Sequence, residues 1–126
     1  MSVGYKWGTW TVLGTENQTI TAASSYEAGN INSEGKIATE VSVEGTYGAG
    51  DVAANIVVRR LIGASSYEQD SSAPWTVPLP ATESVTRERT ITIPGDVSGC
   101  RIQVDNDSAA SMTNVTVRYR QATLGE

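Results

Sequence analysis

The run Ile37-Ala38-Thr39-Glu40-Val41-Ser42-Val43-Glu44-Gly45-Thr46 decides the fold class. Ile37, Thr39, Val41, Val43 and Gly45 share one parity, and Ala38, Glu40, Ser42, Glu44 and Thr46 share the other. Successive side chains of an extended chain point to opposite faces. A period of two with both carboxylates on one side therefore describes a half-buried antiparallel strand. A helix, which groups apolar residues every three to four positions, would scatter this pattern around its surface.

Further β patterns lie on both sides of this run. Ala53 to Ile62 is apolar on both parities and reads as a central or covered strand. Val85 to Ile93 is a long strand closed by Pro94-Gly95-Asp96. Cys100, Ile102 and Val104 alternate with Arg101 and Gln103, and Val115, Val117 and Tyr119 alternate with Thr116, Arg118 and Arg120. Pro74 to Pro80 carries three prolines that cannot donate to a ladder, so it reads as an edge strand. Lys6 to Leu13 is an aromatic and β-branched strand ending at Gly14, followed by the short run Gln18 to Ala22. Residues 23–35 are rich in turn formers and read as a long loop, as do residues 63–73, while Tyr47 to Asp51 reads as a turn.

Seven to eight strands at this spacing predict an all-β, antiparallel two-sheet β-sandwich, jelly-roll or immunoglobulin-like. The 126 residues suffice for one domain with a core that needs no staples. Residues 1–35 supply an N-terminal arm, the first strands and the long loop, and residues 36–126 the main sandwich.

Composition narrows the chemistry. There is no histidine and one cysteine, Cys100, which excludes imidazole-based catalysis, a thiolate metal cluster and an intrachain disulfide. No phosphate-binding glycine motif is present, and Tyr47-Gly48-Ala49-Gly50 joins two β patterns with no helix after it. Glu40 and Glu44 share a strand face with Ser42 and read as the polar outside of a sheet rather than as a hydrolytic pair. The expectation is a non-enzyme without cofactor. Asp105 and Asp107, like Glu68-Gln69-Asp70, are hard oxygen ligands in what also read as ordinary polar turns, and are the residues to watch for calcium.

A net charge of −5 argues against attraction to nucleic acid or an anionic membrane. No apolar stretch follows Met1-Ser2-Val3-Gly4-Tyr5-Lys6, so neither a signal peptide nor a transmembrane segment is expected. Seven of the nine basic residues are arginines, whose planar guanidinium suits fixed ion pairs and interfaces. Arg101, Arg118 and Arg120 lie opposite the apolar parity in the last two strands and would form one outer patch if those strands pair. Glu40, Glu44 or Glu88 could partner it. Arg87 and Arg89 share parity with Ile91 and Ile93, which requires either a bulge or a strand end leaving the core. Tyr5 and Trp7 form an aromatic arm, while Trp10 reads as core. Candidate interface residues are thus Tyr5, Trp7, Arg87, Arg89, Arg101, Arg118 and Arg120. A carbohydrate-binding module would instead use Trp7, Tyr67 or Trp75 as a stacking platform.

Lys36 to Val43, the Gly48 to Leu61 hairpin, Pro74 to Pro80, Arg101 to Asn106 and Val115 to Arg120 resemble small β-sandwich proteins encoded among the structural genes of tailed bacteriophages. The resemblance runs from about residue 36 onward and is one of texture rather than of a motif. It implies a non-enzymatic virion component, a capsid decoration or tail-associated protein assembled in the host cytoplasm. Its implied partners are other virion proteins and further copies of itself as a homo-oligomer, a trimer being favoured. A host-surface glycan is the partner under the alternative.

Overall fold

The computed structural model describes residues 4–49, 52–62, 66–70, 74–82 and 84–125. Their strands are β1 (Gly4–Trp7), β2 (Thr11–Ile20), β3 (Ser24–Asn32), β4 (Ala38–Tyr47), β5 (Ala54–Ile62), β6 (Ser66–Tyr67), β7 (Trp75–Leu79), β8 (Thr86–Pro94), β9 (Gly99–Asn106) and β10 (Met112–Gly125). Every pairing is antiparallel, and the strands form two five-stranded sheets. In the first, β1 and β2 lie end to end along one side of β10, followed by β4 and β8. In the second, the order is β3, β9, β5, with β6 and β7 both paired to β5.

The chain alternates between sheets at each long step: β2 to β3, β3 to β4, β4 to β5, β7 to β8, β8 to β9 and β9 to β10. That alternation gives the two four-strand layers β2-β10-β4-β8 and β3-β9-β5-β7 of a jelly roll. An immunoglobulin-like sandwich would instead keep several consecutive strands in one sheet.

Two expected pairings are corrected by this topology. Gly48 to Leu61 is not a hairpin, because β4 and β5 sit in opposite sheets. The last two strands do not pair either: β9 lies between β3 and β5, and β10 lies between β2 and β4. A short connection here crosses the sandwich rather than folding back within a sheet.

The expected loop at 23–35 is mostly strand β3. Tyr26 and Ala28 point inward, and then a register shift between Glu27 and Gly29 passes the inward role to Ile31. This bulge breaks the period of two and hides the strand among turn-forming residues. β2 likewise runs past Gly14 and Asn17, which take positive φ of 79° and 55°. A β-carbon on Gly14 would lie 2.6 Å from the Ala28 carbonyl oxygen, so only glycine fits there. Tyr47 belongs to the end of β4 rather than to a turn. Parts of the expected turn at 47–51 and loop at 63–73 lie outside the described residues.

The core fills the space between the sheets. Val41, Val43, Ile56, Val58, Leu79, Ile102, Val104, Met112, Val115 and Val117 are wholly buried. Each such side chain contributes about 1.5–3 kcal/mol by leaving water. Two buried polar side chains tie loops to this core. The Tyr47 hydroxyl donates to the Leu79 carbonyl and accepts from the Ala54 amide at 2.8 Å. Asn106 donates to the carbonyls of Ile20 (2.9 Å), Thr21 (3.2 Å) and Ala110 (2.9 Å), while its Oδ1 accepts from Ser108.

Candidate functional site

The expected arginine patch is split between opposite surfaces. Arg118 and Arg120 lie on the outer face of the β10–β4 sheet, and Arg101 lies on the outer face of the β9–β5 sheet. On the first face each guanidinium has a carboxylate partner on β4. Arg118 meets Glu44 at 2.6 Å, and Arg120 meets Glu40 at 2.6 Å. The hydrogen bond that Arg118 donates to Glu44 raises the Arg118 pKa above its usual value. Arg120 also packs on Trp7 and Trp10, 4.7 Å from each ring centre. Trp10 is 40% exposed and is not a core residue, because the chain leaves the ladder between β1 and β2 and turns the ring outward onto Arg120. Tyr5 stands edge-on to Trp7, with ring centres 6.1 Å apart. This corner is a stacked clasp holding β1 and β2 on β10.

Arg87 and Arg89 have a different task. The β4–β8 register runs unbroken from Ala38↔Pro94 to Thr46↔Thr86, so no bulge turns them outward. They keep the core-facing parity and reach across the open side of the sandwich. Arg89 donates to the Pro78 carbonyl at 3.0 Å, and Arg87 donates to the Thr82 hydroxyl. These bonds join a strand of one sheet to the edge of the other.

The outer face of the β3–β9–β5 sheet is richer in polar groups that could meet a ligand. Inward packing of Cys100, Ile102 and Val104 turns Arg101, Gln103 and Asp105 outward on β9. The inward Ala54, Ile56 and Val58 do the same for Asn55 and Arg59 on β5. β3 adds Ser25, Glu27, Asn30 and Asn32. Arg101 Nε lies 2.9 Å from Asn30 Oδ1 and 2.7 Å from Glu27 Oε1. Arg59 reaches Asp70 at 2.6 Å and the Glu68 carbonyl at 3.1 Å.

Tyr67, on the two-residue strand β6, rises beside this face. The Arg101 guanidinium lies 4.4 Å from its ring centre. The ring lines two depressions. One, of about 520 Å3, is shared with Arg59, Glu68, Gln69, Asp70 and Arg101. The other, of about 640 Å3, is shared with Asn30, Asn32, Glu34, Leu61 and Gly99.

Glu68 fixes the segment that carries the ring. Its carboxylate accepts from the Arg60 amide (2.8 Å), Nε (2.8 Å) and Nη2 (3.0 Å), and its own amide donates to the Arg60 carbonyl at 3.0 Å. These bonds hold the Glu68 carboxyl below the usual carboxylate range, the Arg60 side chain being the largest cause.

The three expected stacking residues therefore do not converge. Trp7 is on the opposite sheet, and Trp75 is at the open edge, where it lines a depression of about 450 Å3 with Val58, Arg60, Ile93 and Asp96. Sequence reasoning named Tyr67 and Arg101 for separate readings, and the structure stacks one on the other. Asn30 and Asn32 went unnamed because β3 read as loop.

The groups considered for other chemistry are already engaged. Asp105 accepts from Ser25 (2.6 Å) and Gln103 (2.7 Å), and Asp107 accepts from Asn55 (3.1 Å). Among the described residues no group of three or more His, Cys, Asp or Glu side chains could hold a metal ion. Cys100 is fully buried, and burial pushes its thiol up to about 12, far from a nucleophile's range.

The molecule is thus an antiparallel jelly-roll sandwich. No family model matches the chain, and no curated protein matches it. Among solved structures it is similar to a chain titled "Family 16 Carbohydrate Binding Module-2", at 15% sequence identity and a TM-score of 0.44, covering 90% of this chain and 78% of that one.

Proposed function

We propose that this chain is a non-catalytic binding module that takes up a saccharide on the outer face of the β3–β9–β5 sheet, with Tyr67 as the stacking ring. The observation that carries the reading is the place of that ring. It lines both depressions and is bordered by amide, carboxylate and guanidinium groups. A pyranose offers an apolar C–H face, which suits an aromatic ring, and a rim of hydroxyls that both donate and accept. Asn30 and Asn32 can each donate and accept in one plane, while Arg59 and Arg101 add donors and Asp70 adds an acceptor. Few convergent polar groups beside an aromatic wall are the usual makings of a small-ligand site. Most of these groups sit on sheet strands, so little ordering is left for the moment of binding.

Calorimetric titration of wild-type protein and Tyr67→Ala against a panel of neutral and acidic oligosaccharides tests the reading. Binding by the wild type that Tyr67→Ala abolishes is the expected result. Silence across the panel, or binding that Tyr67→Ala leaves unchanged, would overturn it.

A second reading places the module in a tailed-phage virion, acting by contacts with its own copies or with other particle proteins. Its support is the pair Tyr5 and Leu124, which face each other across β1 and β10 and are 62% and 67% exposed. Mass measurement of the assembled state, with Tyr5→Ser as the variant, tests this separately. A monomer at all concentrations that also ignores virion proteins would overturn it.

A further inference from the structure

Arg59 and Arg101 are direct partners in the β5–β9 register, two like charges facing each other on one side of a sheet. Such a pairing is destabilising unless an anion lies between or beside the two. In this chain, which carries a net charge of −5, it is also a local exception. The structure records what each guanidinium accepts as a partner, and in both cases it is a carboxylate. Arg59 holds Asp70 Oδ1, whose side chain is 91% exposed, and Arg101 holds Glu27 Oε1, whose side chain is 54% exposed. Ion pairs to carboxylates so open to water are worth little and exchange readily with a competing anion.

The contacts of Arg101 with Glu27 and Asn30 are made through Nε. Neither Nη of Arg101 has a hydrogen-bond partner among the described residues, and the guanidinium lines the 520 Å3 depression beside Tyr67. Two parallel N–H groups are the fork that receives a carboxylate in a bidentate grip.

Resting on the saccharide reading above, we infer that the ligand is an acidic saccharide: its carboxylate docks between Arg59 and Arg101, and a neighbouring ring lies along Tyr67 toward Asn30 and Asn32. The carboxylate displaces water and competes with Asp70 for Arg59, while Arg101 supplies one N–H from each Nη. No bond is made or broken. The charged group fixes the register of the chain on the sheet, and the aromatic contact adds affinity that varies little with salt.

The probes are hexagalacturonate, an alginate hexamer and a hyaluronan hexamer, each measured beside its methyl-esterified form. Neutral hexasaccharides and a κ-carrageenan hexamer, sulfated but free of carboxylate, complete the set. At least one acidic oligomer should bind roughly tenfold or more tightly than its ester, the strength expected of a charge-assisted bidentate contact. That difference should shrink at high salt and vanish in Arg101→Gln and in Arg59→Gln, with far-ultraviolet circular dichroism confirming that both variants fold. Equal binding of acid and ester, or binding of neutral or sulfated oligomers alone, would overturn the carboxylate site while leaving saccharide binding in place. Silence from every oligomer would overturn both.

Discussion

Glu68 grips Arg60 twice over, taking the backbone amide and two guanidinium N–H groups with one carboxylate. This bond is the reason that Tyr67, on a strand of only two residues, has a fixed position over the sheet. In Glu68→Ala the 66–70 segment should lose its anchor while the jelly roll stays folded. Amide exchange at Arg60 and at position 68 should then quicken, and saccharide affinity should fall as Tyr67 loses its fixed position. Unchanged exchange in that variant would contradict the anchoring role.

The same bond sets a pH limit. The folded Glu68 pKa lies below its unfolded value. Its contribution is therefore fully present above the ordinary glutamate range, about 4.3, and is lost as pH falls through the folded value. Arg60, whose pKa the hydrogen bond to Glu68 raises, keeps its charge throughout. Ring signals of Tyr67 should hold steady from about pH 8 to pH 5 and move only in stronger acid. Glu68→Gln should abolish that acid transition, since it cannot form the charged pair at any pH.

On the opposite sheet, Arg120 is the bolt of the Trp7–Trp10 clasp. Arg120→Ala removes two ring contacts and the partner of Glu40, at a cost of about 1–2 kcal/mol. Tryptophan emission should shift to the red as Trp7 and Trp10 gain water, and denaturant midpoints report the energy. Saccharide binding should stay as it was, because the clasp and Tyr67 lie on different sheets.

Tyr47→Phe keeps the ring in the core but removes both hydroxyl contacts, leaving the Ala54 amide and the Leu79 carbonyl without that partner. A buried polar group so stranded costs about 1–3 kcal/mol. Urea unfolding should report a lower midpoint with an unaltered slope, as the fold itself is kept.

How much of this was legible beforehand depended on where the period of two survives. It survives in β4, β9 and the latter part of β10, and the apolar run of β5 reads as a strand without it, so these strands and most of the core could be read directly. It fails in β3, where the bulge at Gly29 shifts the inward face, and with it Asn30 and Asn32 were lost from view. Strand parity gives the face of a sheet but not which sheet. Arg101 and Arg118 therefore looked like neighbours, although their strands lie in opposite layers. Arg87 and Arg89 showed the right anomaly, and the unbroken β8 register made them braces across the rim. Tyr67 could be named only as an aromatic residue in a loop, because its stacking on Arg101 joins residues far apart in sequence.

The most direct measurement is a two-dimensional amide and side-chain NMR titration with the oligosaccharide panel. If the Tyr67 face is the binding site, shift changes cluster on Asn30, Asn32, Arg59, Tyr67 and Arg101 and saturate together. Changes centred on Trp7 and Trp10, or on Trp75 at the open edge, or no changes at all, would contradict it.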